Sequence, residues 1–322
     1  MRVAPEEPPP ATARQPRSAS RLREVVLLAG SAAVVLLAAA NATPRAPASA
    51  AAVASASAGA DPSPLPSGAE ARPPSAPFPE ASCDIPDRGF GEYAPWRSLR
   101  IGRVLVPTHG GLDDEGGFAV LFHFHGADAV RKELAPEGLS LVVAAVDAGT
   151  LSSHYAKVVG APVTSLTDLT TMVAAAVAEA TGDRRAHASH VALSSWSAGY
   201  GAVAELLRRP HPGLEGLILL DSLHASWGAG AQEIEPTQLA PFLAEARAAA
   251  AGNSLFYLTH SEIQPEGYAS TGRVAAYLLR QMGGERGGFF ARGFPGDTAA
   301  AHCAHLRLLP SIVREHLLPA WR

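Results

Sequence analysis

From residue 103 to the end of the chain, short apolar runs alternate with longer amphipathic segments. Runs at 103–106 (RVLV), 118–124 (FAVLFHF), 141–146 (LVVAAV), 190–193 (HVAL), 217–220 (LILL), 254–259 (SLFYLT) and 289–294 predict strands. The run at 118–124 is apolar on both faces, which predicts a central strand. Segments at 129–134, 167–179, 236–250, 272–282 and 305–318 predict helices, and an Ala/Leu-rich helical run also follows residue 199. Thr164 or Ser165 is the expected cap of the helix at 167–179. Strand and helix alternate throughout. That order predicts an α/β domain: a mostly parallel central sheet flanked by helices on both faces.

The first 82 residues follow another pattern. Arg14, Arg17, Arg21 and Arg23 precede an apolar run at 25–40, and Ala40-Asn41-Ala42 then forms a small-residue cleavage pattern. Residues 1–42 therefore read as a secretory signal, or as an uncleaved signal anchor that tethers the protein to a membrane through 25–40. The run is shorter than the ~20 apolar residues of a full span. Residues 43–82 are dominated by Ala, Pro and Ser, with no periodicity to support a packed face, and predict a disordered linker. The folded domain is expected over 83–322. The expected location is periplasmic, secreted, or membrane-anchored on the extracytoplasmic side.

The chain of 322 residues carries a formal net charge of -4, which argues against a nucleic-acid partner. Its two cysteines, Cys83 and Cys303, exclude a cysteine-rich zinc module.

The candidate chemistry centres on residues 187–209. An apolar run leads into Ser195-Trp196-Ser197-Ala198-Gly199, and a helical run follows at once. Strand, tight turn and helix place Ser197 at the turn, with small residues two before and two after it. Strand and helix come close together there, so the flanking side chains must be tiny. Polar residues also stand where other apolar runs end: His125-Gly126, Asp221, His260-Ser261-Glu262, and Asp297 with His302. In open α/β sheets such carboxyl ends gather the chemistry.

The ordered set His125-Gly126, S-x-S-x-G, Asp221, His302 makes residues 100–322 resemble an α/β-hydrolase domain, with Ser195 in place of the first glycine of G-x-S-x-G. The resemblance implies a serine hydrolase with Ser197 as nucleophile, acting on an ester or related acyl bond of a small-molecule substrate. A serine hydroxyl needs a base, and the base an orienting carboxylate. His302 is the expected base and His305 the alternative. Asp221 is the expected acid and Glu262 the alternative. Two N–H donors, from Ala198 and Ala127, are expected to hold the oxyanion. A catalytically silent binding or scaffold module on the same fold is the competing expectation.

No cofactor or metal is expected. His123 and His125 share a strand face with Asp128 nearby, but the spacing misses a known metal box. His154, His187, His190, His211, His224 and His316 are assigned core or surface roles. The connections at 147–164 and 222–236 are expected to wall the pocket, with Tyr155, Trp227 and Tyr268 as possible apolar lining. Export permits a Cys83–Cys303 disulfide, which would pin the start of the domain against an irregular loop carrying His302.

Overall fold

The computed structural model describes Pro79 and residues 82–322, apart from 161–163 and 231–232. All of these belong to one compact unit, residues 64–322. The expected export signal at 1–42, its apolar run at 25–40 and almost all of the linker at 43–82 lie outside the described residues. Among the described residues no helix is long and apolar enough to cross a membrane.

The sheet has eight strands: β1 (Arg97–Ser98), β2 (Arg103–Leu105), β3 (Gly117–Phe124), β4 (Val142–Val146), β5 (His187–Trp196), β6 (Leu214–Leu220), β7 (Leu255–His260) and β8 (Phe289–Gly293). Their order is β1-β2-β4-β3-β5-β6-β7-β8. β1 and β2 are antiparallel to their neighbours, and every pair from β4 to β8 is parallel. β3 lies between β4 and β5, as its two-faced apolar run requires.

Helices cover both faces. The longer ones are α1 (Ala127–Leu134), α2 (Ser152–Gly160), α3 (Leu166–Thr181), α4 (Tyr200–Leu207), α5 (Pro236–Ala250), α6 (Thr271–Met282) and α7 (Ala299–Ala304), from which short helical turns continue to Ala320. Val130 and Leu134 of α1 share one apolar layer with Leu121, Val143 and Ile218 of the sheet, and with Leu309, Ile312 and Leu317 near the C-terminus. The opposite layer joins Phe118, Val120 and Phe122 to Tyr155, Val173, Val203, Phe242 and Val274, which come from α2 through α6. Ser165 is the cap of α3. Its hydroxyl accepts from Asp168 N–H at 3.1 Å, and Asp168 Oδ2 accepts from Ser165 N–H at 2.8 Å.

The C-terminal helix departs from its expected start at 305. Helical winding begins at Ala299, where the Thr298 side chain accepts from Ala301 N–H at 3.2 Å. His302 therefore sits on α7 rather than in an irregular loop, because a threonine cap fits the first turn. A disulfide joins Cys83 to Cys303, with Cα atoms 4.9 Å apart. It ties the entry of the domain to the residue next to His302.

The bond closes a loop spanning 220 positions, for which chain entropy gives about 5 kcal/mol of stabilisation. The Cys83→Ser/Cys303→Ser variant should lose several kcal/mol in urea denaturation. An unchanged midpoint would mean that the bond constrains nothing.

Candidate active site

β5 ends at Trp196, and Ser197 follows with φ 50°, in the left-handed region that costs a non-glycine residue roughly 1–2 kcal/mol. The chain then turns through Gly199 into α4. A Cβ on Gly199 would stand 2.0 Å from the Phe124 carbonyl oxygen, so this position needs glycine to let the turn lie against β3. Ser195, two residues before the turn, is fully buried. Its hydroxyl donates to Ser222 Oγ at 2.8 Å, and Ser222 donates to the Ser197 carbonyl at 2.8 Å. Serine thus fits where the resemblance expects glycine, and it also supports the strained turn.

Asp221 follows β6 with φ 41° and is 2% exposed. Its Oδ2 receives His302 Nδ1 at 2.6 Å. Its Oδ1 accepts from Ser261 N–H at 2.9 Å and from the Thr271 hydroxyl at 2.6 Å. Burial pushes this carboxyl up. The His302 hydrogen bond, the nearby His305 and His302 rings and the Thr271 hydroxyl outweigh burial and hold it well below the usual carboxylate range.

The His302 ring stacks on Trp196 with centroids 4.9 Å apart, and Trp196 Nε1–H donates to the His302 carbonyl at 3.1 Å. His125 stacks on the same indole at 5.0 Å. With Nδ1 on Asp221, His302 keeps Nε2 for another partner. Ser197, His302 and Asp221 line one cavity of about 170 Å³. Among the described residues no direct hydrogen bond joins Ser197 Oγ to His302.

The other candidates lie elsewhere. Glu262 Oε2 accepts from Gly296 N–H at 3.0 Å, so its carboxylate braces the loop before α7 and does not meet His302. His305 is fully buried, with Nδ1 2.8 Å from Thr259 Oγ1, and burial lowers its pKa to about 4. Ala198 lies at the elbow, in a first helical turn whose amides have no intrahelical acceptor.

The Ala127 N–H, expected at the oxyanion, is engaged by a carboxylate in this structure. It donates to both Asp147 carboxylate oxygens at 3.2 Å, and Gly126 N–H donates to Asp147 Oδ1 at 2.7 Å. Asp147 follows β4, which pairs with β3 so that Val146 faces Phe124. That register brings its carboxylate to the N-terminus of α1, where a negative charge is stabilised.

His123 and His125 do not converge on Asp128. His123 is buried, with Nδ1 3.0 Å from Ser194 Oγ and Nε2 2.8 Å from the His125 carbonyl, while Asp128 pairs with Arg103 at 3.0 Å. His125 Nδ1 donates to Tyr155 Oη at 2.6 Å, and Tyr155 donates to Gly149 O at 2.8 Å, so Tyr155 is a core residue rather than pocket lining. Trp227 packs beside the core, whereas Tyr268 lines the site.

The strand order, the antiparallel β2 and a serine at positive φ between β5 and α4 decide the architecture. This is an α/β-hydrolase fold. No family model matches the chain, and no curated protein matches it. Solved structures similar to it include TT1662 from Thermus thermophilus, 14% identical over 69% of this chain and 97% of its own, with a TM-score of 0.38. The siderophore hydrolase EstB from Aspergillus nidulans is 13% identical over 71% of this chain and 96% of its own, TM-score 0.40. The carboxylesterase CesB (YbfK) from Bacillus subtilis is 12% identical over 71% and 92%, TM-score 0.39. At such values the likeness carries no argument, and the fold rests on the strand order.

Trp196, Thr259 and Thr271 enter the site although the sequence pattern assigned them no role, and Ser222 and Asp147 belong to connections expected only to wall the pocket. The one signal for Trp196 was its place directly before the serine.

Two predictions follow from the packing. A methyl at Gly199 meets backbone, so Gly199→Ala should cost ~3 kcal/mol or more, while Ser195→Ala should cost ~1 kcal/mol by leaving Ser222 without its donor. Thermal denaturation of both variants checks the contrast, and equal losses would contradict it. Burial lowers the pKa of His123, like that of His305, from 6.5 to about 4. The unfolded chain then binds more protons, so this stability is complete above pH 6.5 and is lost as the pH falls toward about 4. Urea midpoints measured across that window should fall with pH. A flat profile would contradict the buried neutral rings.

Proposed function

We propose that the protein is an exported serine hydrolase that cleaves carboxylic esters or related acyl bonds of small molecules. The observation that carries this reading is the 2.6 Å contact between His302 Nδ1 and buried Asp221, on the cavity lined by Ser197. A carboxylate on Nδ1 fixes the imidazole tautomer with its lone pair on Nε2. His302 Nε2 takes the Ser197 proton as Oγ attacks the acyl carbon. The Ala198 N–H stabilises the oxyanion that forms. His302 then returns the proton to the leaving oxygen, and water releases the acyl group by the same route in reverse. In this reading Asp221, not Glu262, is the acid, and His302, not His305, is the base. Ala127 gives no second oxyanion donor while Asp147 holds its proton.

Export rests on the basic and apolar pattern of residues 1–42, and a disulfide in the folded domain is consistent with an oxidising compartment. The membrane tether through 25–40 rests on the same pattern. One observation favours the silent-module reading: the amide hydrogens of both Gly126 and Ala127 are engaged by Asp147.

Kinetics on p-nitrophenyl acetate separate the two. Ser197→Ala should remove turnover with the fold intact. Asp221→Asn should lower kcat by ~10³–10⁴-fold by releasing the tautomer. Undiminished turnover in Ser197→Ala would refute the mechanism, and no turnover by the native chain on any activated ester would favour the silent module.

A further inference from the structure

Two cavities meet at Ser197 and share His224 and Tyr268. The smaller also carries His302 and Thr271. The larger, about 260 Å³, carries Ala198 with Thr150, Ser152, Tyr200, Ser226 and Gln238. On the serine-hydrolase reading above, His302 must protonate the leaving oxygen, so the leaving group departs through the smaller cavity. The acyl portion then occupies the larger one. A cavity of this size is below the usual range for drug-sized ligands and fits a short acyl group.

The wall of that cavity is rich in hydroxyls, and His224 is part of it. The His224 ring meets Tyr200 and Tyr268 edge-on, with centroids 5.9 and 4.9 Å apart. Its Nδ1 faces the Ala269 carbonyl at 3.3 Å and must carry the proton there. Among the described residues its Nε2 has no hydrogen-bond partner, the atom is not sealed from solvent, and the residue lines both cavities. Burial lowers the pKa of this ring, which keeps it neutral and Nε2 an acceptor. The backbone that delivers it is strained: Leu223, directly before it, has φ 81° while almost fully buried. Strain of this kind persists where the surrounding structure enforces it.

We infer that the larger cavity selects a short, hydroxyl-bearing acyl group, with His224 Nε2 accepting the hydrogen bond of that hydroxyl. An alkyl acyl group of the same length leaves the acceptor desolvated and unpaired. Sites built around such an acceptor reject analogues that lack the donor.

The test compares kcat/KM of the full-length protein on two matched pairs of p-nitrophenyl esters: lactate against propanoate, and β-hydroxybutanoate against butanoate. Each rate is divided by that ester's alkaline hydrolysis rate. At least one pair should favour the hydroxy ester by about tenfold or more. His224→Phe, which keeps the ring packing but has no acceptor, should lose that preference, and His224→Gln should keep most of it. A preference of about threefold or less in both pairs overturns the inference, as does a preference that survives His224→Phe. Should His224→Phe not fold, the native ratio and His224→Leu decide in the same way. Absence of turnover on all four esters is a different result: it removes the hydrolase reading, and this inference with it.

Discussion

Asp221 carries a charge into an almost fully buried position, and a buried charge is costly unless its lone pairs are compensated. The compensation comes from separate parts of the chain. Ser261 after β7 gives a backbone N–H, Thr271 at the start of α6 a hydroxyl, and His302 on α7 a ring nitrogen. Thr259 Oγ1 receives the Asp221 N–H at 2.9 Å and also contacts His305. The carboxyl ends of β6 and β7, α6 and the C-terminal helical segment thus converge on one side chain. The left-handed backbone at Asp221 is the local cost of aiming it inward.

The second half of the site is held by close approach rather than by charge. Gly199 lies against the Phe124 carbonyl, and Ser195 and Ser222 hold the Ser197 carbonyl from below. Trp196 joins the two halves. It is the residue before Ser197, it stacks on the His302 ring, and its indole N–H binds the His302 carbonyl. The disulfide at Cys303 fixes the neighbouring residue. The serine strand and the histidine helix are therefore placed relative to each other without a direct Ser197–His302 hydrogen bond.

The alternation of apolar runs with amphipathic segments made the sheet and its flanking helices legible, and the small residues around Ser197 made the elbow legible. β1 is two residues long and α2 buries only Tyr155 and Val159, so neither left a sustained periodic mark. The choice between Asp221 and Glu262 was open in the sequence because both follow strands. Gly296, which binds Glu262, is remote from it in the chain. Asp147 reaches Ala127 only through the β3–β4 register, a contact that spacing does not reveal. His224 looked like one more unassigned imidazole because its position depends on a positive φ at Leu223, a residue whose type gives no hint of it.

The central claim is that Asp221 and His302 activate Ser197. Intact-mass spectrometry after exposure to a fluorophosphonate, followed by peptide mapping, tests it most directly, because only an activated serine is phosphonylated. The account predicts a single adduct on Ser197 in the native chain and slower labelling in His302→Ala. No adduct, an adduct on another residue, or labelling of Ser197 at an unchanged rate in His302→Ala would contradict it.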